Sequence, residues 1–336
     1  MAGVSSTDHD LEARFQRLTI ESLEGQHRDI LKRALSNVLS TEIAEFTLAQ
    51  IVDGLPIHDV LYDRYNTHVM VHVYDPMPIR HDRLCYGVLE RSRQLYAEFD
   101  LKIIKLDSKA VHAYQTASPG SRAFKTRLIE LVAVALHQIA VWVYKQNTSL
   151  HKGEPPTGHR PPPTYFLHEW YRDYDQYPDG IAGCVGYWVE ARILGGVILF
   201  DRHSLESHEV YIHPNRAEAS YRICRLLDEQ KQQLLGFLLH NGPTAPAHCP
   251  LPILPTLDNA DRVDPEEPIA ETGIYRDIWE RKEKPATPGD YRLRDVKCHE
   301  DWANFEDMRA AASRARGRLY RQSVARMAAE EANESR

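Results

Sequence analysis

The sequence predicts an α+β protein. A helical N-terminal half packs on an antiparallel β-meander, followed by a proline-rich arm and a helical tail. Three observations carry this reading. Residues 122–146 hold a wide apolar stripe at helical spacing. Residues 185–202, VGYWVEARILGGVILFDR, set two runs rich in β-branched and aromatic residues on either side of Gly195-Gly196. From Asn241 to Pro268, prolines recur too often for any regular element to persist.

The elements follow in order. Asp10 to Ser40 reads as helical, with Leu11, Phe15 and Leu18 on one stripe and Ile30, Leu31, Ala34, Leu35 and Val38 continuing it after Gly25. Thr41 is placed to cap a helix through Val52, closed by Gly54 and Pro56. Thr67 to Asp75 alternates strictly and predicts a strand, with His68 and His72 on one face. Asp82 is read as the cap of a helix to Phe99, and Leu101 to Leu106 as a short strand. Ser121 caps the longest helix, whose face is Leu128, Leu131, Val132, Ala135, Leu136, Ile139 and Val143. Leu150 to Thr164 is a loop. Strands are expected at Tyr165–Tyr171, at 209–213 and at 219–225, with a helix from Asp228 to Leu239.

The Gly-Gly dipeptide is read as a type I′ hairpin turn, which needs positive φ at both central positions. Leu194 then faces Val197 and Glu190 faces Asp201. Residues 1–240 form one core under this scheme, helical over 8–146 and a meander with a helix over 164–240. Residues 241–268 are an arm or linker, and 269–336 a weakly structured segment with a C-terminal helix.

The chain has 336 residues, enough for one large domain or two smaller ones. A net charge of −7 argues against a surface built to hold polyanions, so nucleic acid is not an expected partner. The start lacks a secretory pattern, and no run is long and apolar enough for a membrane span. Five scattered cysteines without a CxxC pair suit reduced thiols. An intracellular, cytoplasmic location is expected, with a nuclear one left open.

Candidate sites concentrate in Tyr165–Gly186 and the hairpin. His168, Glu169, Trp170 and Tyr171 offer flat apolar contact with hydrogen bonding, although on a strand His168 and Glu169 point to opposite faces. Trp188, Glu190 and Arg192 share a face of the expected hairpin. Glu190 and Arg192 are either a structural charge pair or a site base and its tuner. His137, inside the apolar helix, is read as a core histidine or as a ligand contact. No metal and no cofactor are called for: HExxH is absent, and two histidines four apart on a strand stand roughly 13 Å apart. Gly180-Ile-Ala-Gly-Cys-Val-Gly superficially matches a phosphate loop, but is expected to precede a strand, which leaves no helix N-terminus for an anion. Cys184 reads as a buried thiol or as a nucleophile served by His168 or His203. The tail carries Arg309, Arg314, Arg316, Arg318, Arg321 and Arg326, offset by acidic neighbours.

The elements Trp-Tyr, Tyr-Pro-x-Gly-Ile-Ala, Gly-Tyr-Trp-x-Glu-Ala-Arg and Leu-Phe-Asp-Arg, over about residues 164–239, resemble a widespread family of uncharacterised proteins of filamentous fungi. The resemblance implies fungal origin and a common core and transfers no catalytic residue. The expected function is intracellular binding of a small molecule between helix 122–146 and the meander, with an enzyme of specialised metabolism as one form of it. The alternative is a non-catalytic interaction protein whose partner binds residues 241–336.

Overall fold

The computed structural model describes residues 17–63, 81–151 and 163–282, apart from 205, 217–218, 221, 243–248 and 266, together with helical positions between 306 and 328. The expected strand over 67–75, with His68 and His72, lies outside the described residues. The fold is α+β, with a five-stranded antiparallel sheet alongside helices.

Helix α1 (Gly25–Leu39) buries Ile30, Leu31, Ala34, Leu35 and Val38, the stripe read from the sequence. Of the extension expected before it, residues 10–16 lie outside the described residues and Ile20–Ser22 is a 3-10 turn. Arg17–Thr19 is instead a strand, β1, paired with β2 (Lys105–Asp107), so that Leu18 lies opposite Leu106. Helix α2 (Glu42–Asp53) starts as expected, with Thr41 Oγ1 accepting from Ala44 N, and ends at Gly54 in the left-handed region. The short α3 is His58–Tyr62.

The helix expected from Asp82 begins only at Val88, forming α4 (Val88–Glu98). The reason is tertiary: Cys85 N donates to the Asp53 carboxylate at 2.8 Å, which draws the 81–87 segment onto the end of α2. The expected strand 101–106 is part 3-10 turn and part β2. Helix α5 (Ser108–Thr116), capped by Asp107, was not legible in the periodicity. Helix α6 (Arg122–Lys145) is capped by Ser121, whose Oγ accepts from Phe124 N, and its whole predicted face is buried. It is long and apolar enough to cross a membrane, but 72% of its most apolar window is buried inside the fold.

The main correction concerns the hairpin. Its first arm is a helix, α7 (Ile181–Leu194), ended by Gly195 at φ +105. A type I′ turn would need positive φ at Gly196 as well, and Gly196 does not have it. Gly195 is therefore a left-handed helix cap. Helix α7 is apolar on every side, and all its residues except Ile181 and Arg192 are buried. A helix buried all round has no polar stripe, so its periodicity disappears and its β-branched residues resemble a strand.

The second arm is the expected strand β3 (Val197–Asp201), but it pairs forward with β4 (Val210–His213), placing Val197 opposite His213 and Phe200 opposite Val210. Strand β5 (Ile223–Arg225) follows, then α8 (Asp228–Leu238), whose N-cap is Leu227 rather than Asp228. Strand β3 is central. Its Ile198 and Phe200 enter the large core with α6 and α7, while Val197 and Leu199 enter a smaller cluster with Tyr171, Tyr187 and Ile223. The expected strand 165–171 is a turn-rich cover over this smaller cluster, with one bridge between His168 and Tyr171.

The proline-rich stretch was read as an extended arm or linker; its described part, which includes a turn at Asp258, is packed against the core. Ile253 N donates to Leu194 O at 2.9 Å. Asn259, 1% exposed, exchanges amide hydrogen bonds with Gln230 on α8 and donates to Arg225 O. Strand β6 (Arg262–Val263) joins β5; a short α9 (Ile269–Thr272) leads into β7 (Ile274–Tyr275), which joins β3, giving the order β6-β5-β4-β3-β7. A chain unable to form its own ladder satisfies its backbone on elements already present.

Candidate functional site

Between α6, the first turn of α7 and the segment 275–279 lies a cavity of about 700 Å³. The α6 wall is a stripe of Arg127, Glu130, Leu131, Val134, His137 and Gln138, spaced so that one face of the helix looks into it. Tyr177, Gly183 and Tyr187 form a second wall, and Tyr275, Arg276 and Trp279 a third. Arg17, Lys105 and Lys109 stand at the edge, on β1, β2 and α5.

His137 sits at the contact of α6 and α7. Its ring meets Tyr187 edge-on at 4.5 Å, and Gly186 makes room for it: a Cβ there would lie 2.6 Å from the imidazole. Its Nδ1 is buried without a hydrogen-bond partner. Burial, reinforced by Arg276 and Arg17, pushes its pKa well below the usual histidine range, so the ring is neutral. About two helical turns earlier, Glu130 is gripped by Arg127 and by Arg202, the latter at 2.6 Å. Burial opposes its ionisation, but the Arg202 and Arg127 guanidiniums override it and hold the carboxyl below its ordinary range.

Of the candidate site residues His137, His168, Glu169, Trp170, Tyr171, Trp188, Glu190 and Arg192, the structure brings only His137 to the cavity, where Tyr177 and Gly183 of the 165–186 stretch also lie. Glu190 lies one layer behind. It is fully buried, its Oε1 accepts from Ile198 N at 2.7 Å, and both oxygens accept from Arg276 Nη1 at 2.7 and 2.8 Å. Arg276 in turn lies 5.5 Å over the ring of Tyr187, three residues before Glu190 and on the same side of α7. Arg192 does not pair with Glu190. It donates to Asp63 at 2.5 Å, on a carboxylate shared with Arg216. Trp188 packs edge-on against Phe166 in the large core.

His168 is fully buried, with Nε2 donating to His213 O at 3.1 Å and Nδ1 accepting from Trp170 N at 3.2 Å. Tyr171 is buried and shares a 3.0 Å hydrogen bond with His213. Trp170 packs on the smaller cluster, and Glu169 faces Arg172 at 3.8 Å. Cys184 is fully buried, and burial pushes its thiol up to about 12, which keeps it unreactive. The Gly180 stretch opens a helix after all, so a helix N-terminus does border the cavity. Arg276 and Tyr187 were missed. The α6 stripe left a visible signal, because Glu130, His137 and Gln138 interrupt an otherwise apolar helix on one side.

Among the described residues, those able to hold a metal are elsewhere. Asp53, His81, Cys85 and His151 bring four donor atoms within 4.8 Å of one another. His81 Nε2 is 3.2 Å from Asp53 Oδ2, His151 Nε2 is 3.4 Å from Asp53 Oδ1, and Cys85 Sγ is 3.4 Å from His151 Nε2. The sequence predicts no metal, because HExxH is absent and His68 and His72 stand too far apart on the expected strand; these four residues belong to no short motif.

No protein-family model, no curated protein and no solved structure matches the chain.

Proposed function

We propose that the protein binds a small organic anion carrying an aromatic or flat apolar body in the cavity between α6 and α7. The observation that carries this reading is a surplus of cations over an aromatic floor. Glu130, Asp179 and Asp277 on the wall are already matched by Arg127 and Arg202, by Lys145 and by Arg276. Arg17, Lys105 and Lys109 line the same cavity and make no ion pair among the described residues, and against these three cations stands one further wall carboxylate, Asp107, which accepts from Lys109 N and Ala110 N as the cap of α5. The first turn of α7 adds the positive end of a helix dipole. Tyr177, Tyr187 and Trp279 supply flat contact, and the neutral His137 offers one hydrogen bond deep in the wall. The volume suits a metabolite-sized ligand.

The test is a thermal-shift and calorimetric screen that pairs aromatic carboxylates and aryl phosphates with neutral analogues of the same shape. At least one anion should raise the melting temperature saturably while its neutral partner does not. The double variant Lys105→Gln/Lys109→Gln, at exposed positions, should weaken binding about fivefold and leave the fold intact. Equal responses to anions and neutral analogues would overturn the proposal.

A further inference from the structure

The four-donor cluster is built by the fold around one residue. Asp53 closes α2, and its backbone carbonyl accepts from Leu150 N at 3.1 Å, His151 N at 3.2 Å and Ser149 Oγ at 3.3 Å. That closure depends on Gly54, at φ +103, where a Cβ would lie 1.7 Å from Ser149 Oγ. The carboxylate of Asp53 takes the backbone N–H of Cys85 at 2.8 Å. His81 is fixed from both sides: its carbonyl accepts from His58 N at 2.7 Å, and its Nδ1 donates to Pro56 O at 3.1 Å. Three stretches far apart in sequence are thereby held at one point before any ligand is considered.

We propose that Asp53, His81, Cys85 and His151 bind one zinc ion as a closed structural site. The spacing fits. With zinc bonds of about 2.0–2.3 Å, the edges of a ligand tetrahedron measure about 3.3–3.8 Å; His151 Nε2 lies 3.4 Å from both Asp53 Oδ1 and Cys85 Sγ, His81 Nε2 lies 3.2 Å from the other oxygen, Asp53 Oδ2, and one donor atom of each residue lies within 4.8 Å of the others. The donor set fits as well. Two imidazoles, a thiolate and a carboxylate suit zinc, whereas magnesium and calcium take oxygen ligands. One thiolate and one carboxylate balance the dication, so the partly buried ion carries no net charge into the fold.

Ring orientation separates this reading from a Cys-His-Asp relay. In a relay, one ring nitrogen faces the nucleophile and the other faces the carboxylate. Here the same atom, His151 Nε2, faces both Cys85 Sγ and Asp53 Oδ1. His81 also turns Nε2 inward, because the Pro56 carbonyl claims Nδ1, the outer-shell contact that orients a metal-bound histidine. Asp53 Oδ1 is buried and accepts no hydrogen bond, as expected of a ligand oxygen. Both imidazoles thus turn Nε2 toward the cluster, in which the four donor atoms lie within 4.8 Å of one another.

The experiment uses the full chain, produced in zinc-supplemented medium and purified without chelator. Elemental analysis should find one zinc per chain. Replacement by cobalt should give tetrahedral visible bands and a near-ultraviolet thiolate-to-cobalt band. Cys85→Ser should remove the thiolate band, and His151→Gln should lower zinc content. Chelation should lower the melting temperature of the unaltered protein by at least about 5 °C. Bound zinc should also slow alkylation of Cys85, a readout that needs no variant to fold. A folded chain with no more zinc than a zinc-free control protein and no cobalt bands would overturn the proposal. So would alkylation of Cys85 at a rate indifferent to zinc.

Discussion

Glu190 and Arg192 stand two residues apart on one helix, yet their side chains lead to opposite parts of the chain. Glu190 is fully buried and reaches forward to Arg276 near the C-terminal end of the sheet. Arg192 reaches back to Asp63, where Arg216 shares the carboxylate and Asp63 is 30% exposed. On a strand, residues two apart share a face; on a helix they diverge by about 200°. The difference teaches that the secondary structure assigned to a segment decides which charges can meet. It also separates two kinds of ion pair. Glu190 accepts hydrogen bonds from Ile198 N and Arg276 Nη1 in a fully buried site. The Asp63 group lies at the margin, where water can replace a lost partner.

The sharpest way to break this comparison is Glu190→Gln. It takes from Arg276 its buried counter-charge, leaving only the 28% exposed Asp277, and should cost about 3 kcal/mol in urea denaturation. A cost no larger than that of Asp63→Asn would reject the contrast between buried and marginal pairs. If ligand binding were lost with stability unchanged, Glu190 would instead belong to a functional site.

Gly195, at the end of the helix that separates the two groups, comes next. Valine there would meet left-handed strain and place a Cβ 2.0 Å from Ile253 O. Denaturation of Gly195→Val should show a loss of about 2–4 kcal/mol. An unchanged midpoint would refute both the helix cap and the docking of the proline-rich stretch.

Asp63→Asn should cost about 1–2 kcal/mol, since the amide oxygen still accepts from one arginine. The smallest effect is in pH dependence. Burial opposes ionisation of Asp63, but Arg216 and Arg192 override it and hold its carboxyl below the usual value of 3.8. A depressed folded pKa contributes stability that is present above the unfolded pKa and is lost as pH falls through the folded one. Stability of the unaltered chain should therefore drop below about pH 4, and Asp63→Asn should flatten that limb. Denaturation midpoints measured from pH 6 to pH 2 decide this; parallel curves for the two proteins would remove Asp63 from the acid response.

Much of the fold was determined by the sequence acting locally. Ser121 with an apolar stripe behind it specifies α6, Thr41 and Gly54 bound α2, and the stripe from Ile30 to Val38 gives α1. These signals reside in side-chain oxygens, glycine backbones and one-sided burial, which a few neighbouring residues suffice to define. The polar stripe inside α6 was also in the sequence, as Glu130 and His137 interrupting an apolar run. Its meaning waited on Arg202 and Arg276, which arrive from distant residues.

Tertiary structure alone decided the rest. Helix α7 is covered on all sides, so nothing in its pattern distinguishes it from a buried strand, and only its neighbours choose between them. The 251–263 stretch lacks a ladder of its own and takes its place from Leu194, Gln230 and β5. Asp53, His81, Cys85 and His151 are dispersed between positions 53 and 151, a separation no spacing rule can read. They meet because a glycine lets one turn close on the carbonyl of Asp53, and because the folded chain converts long sequence separations into hydrogen-bond distances.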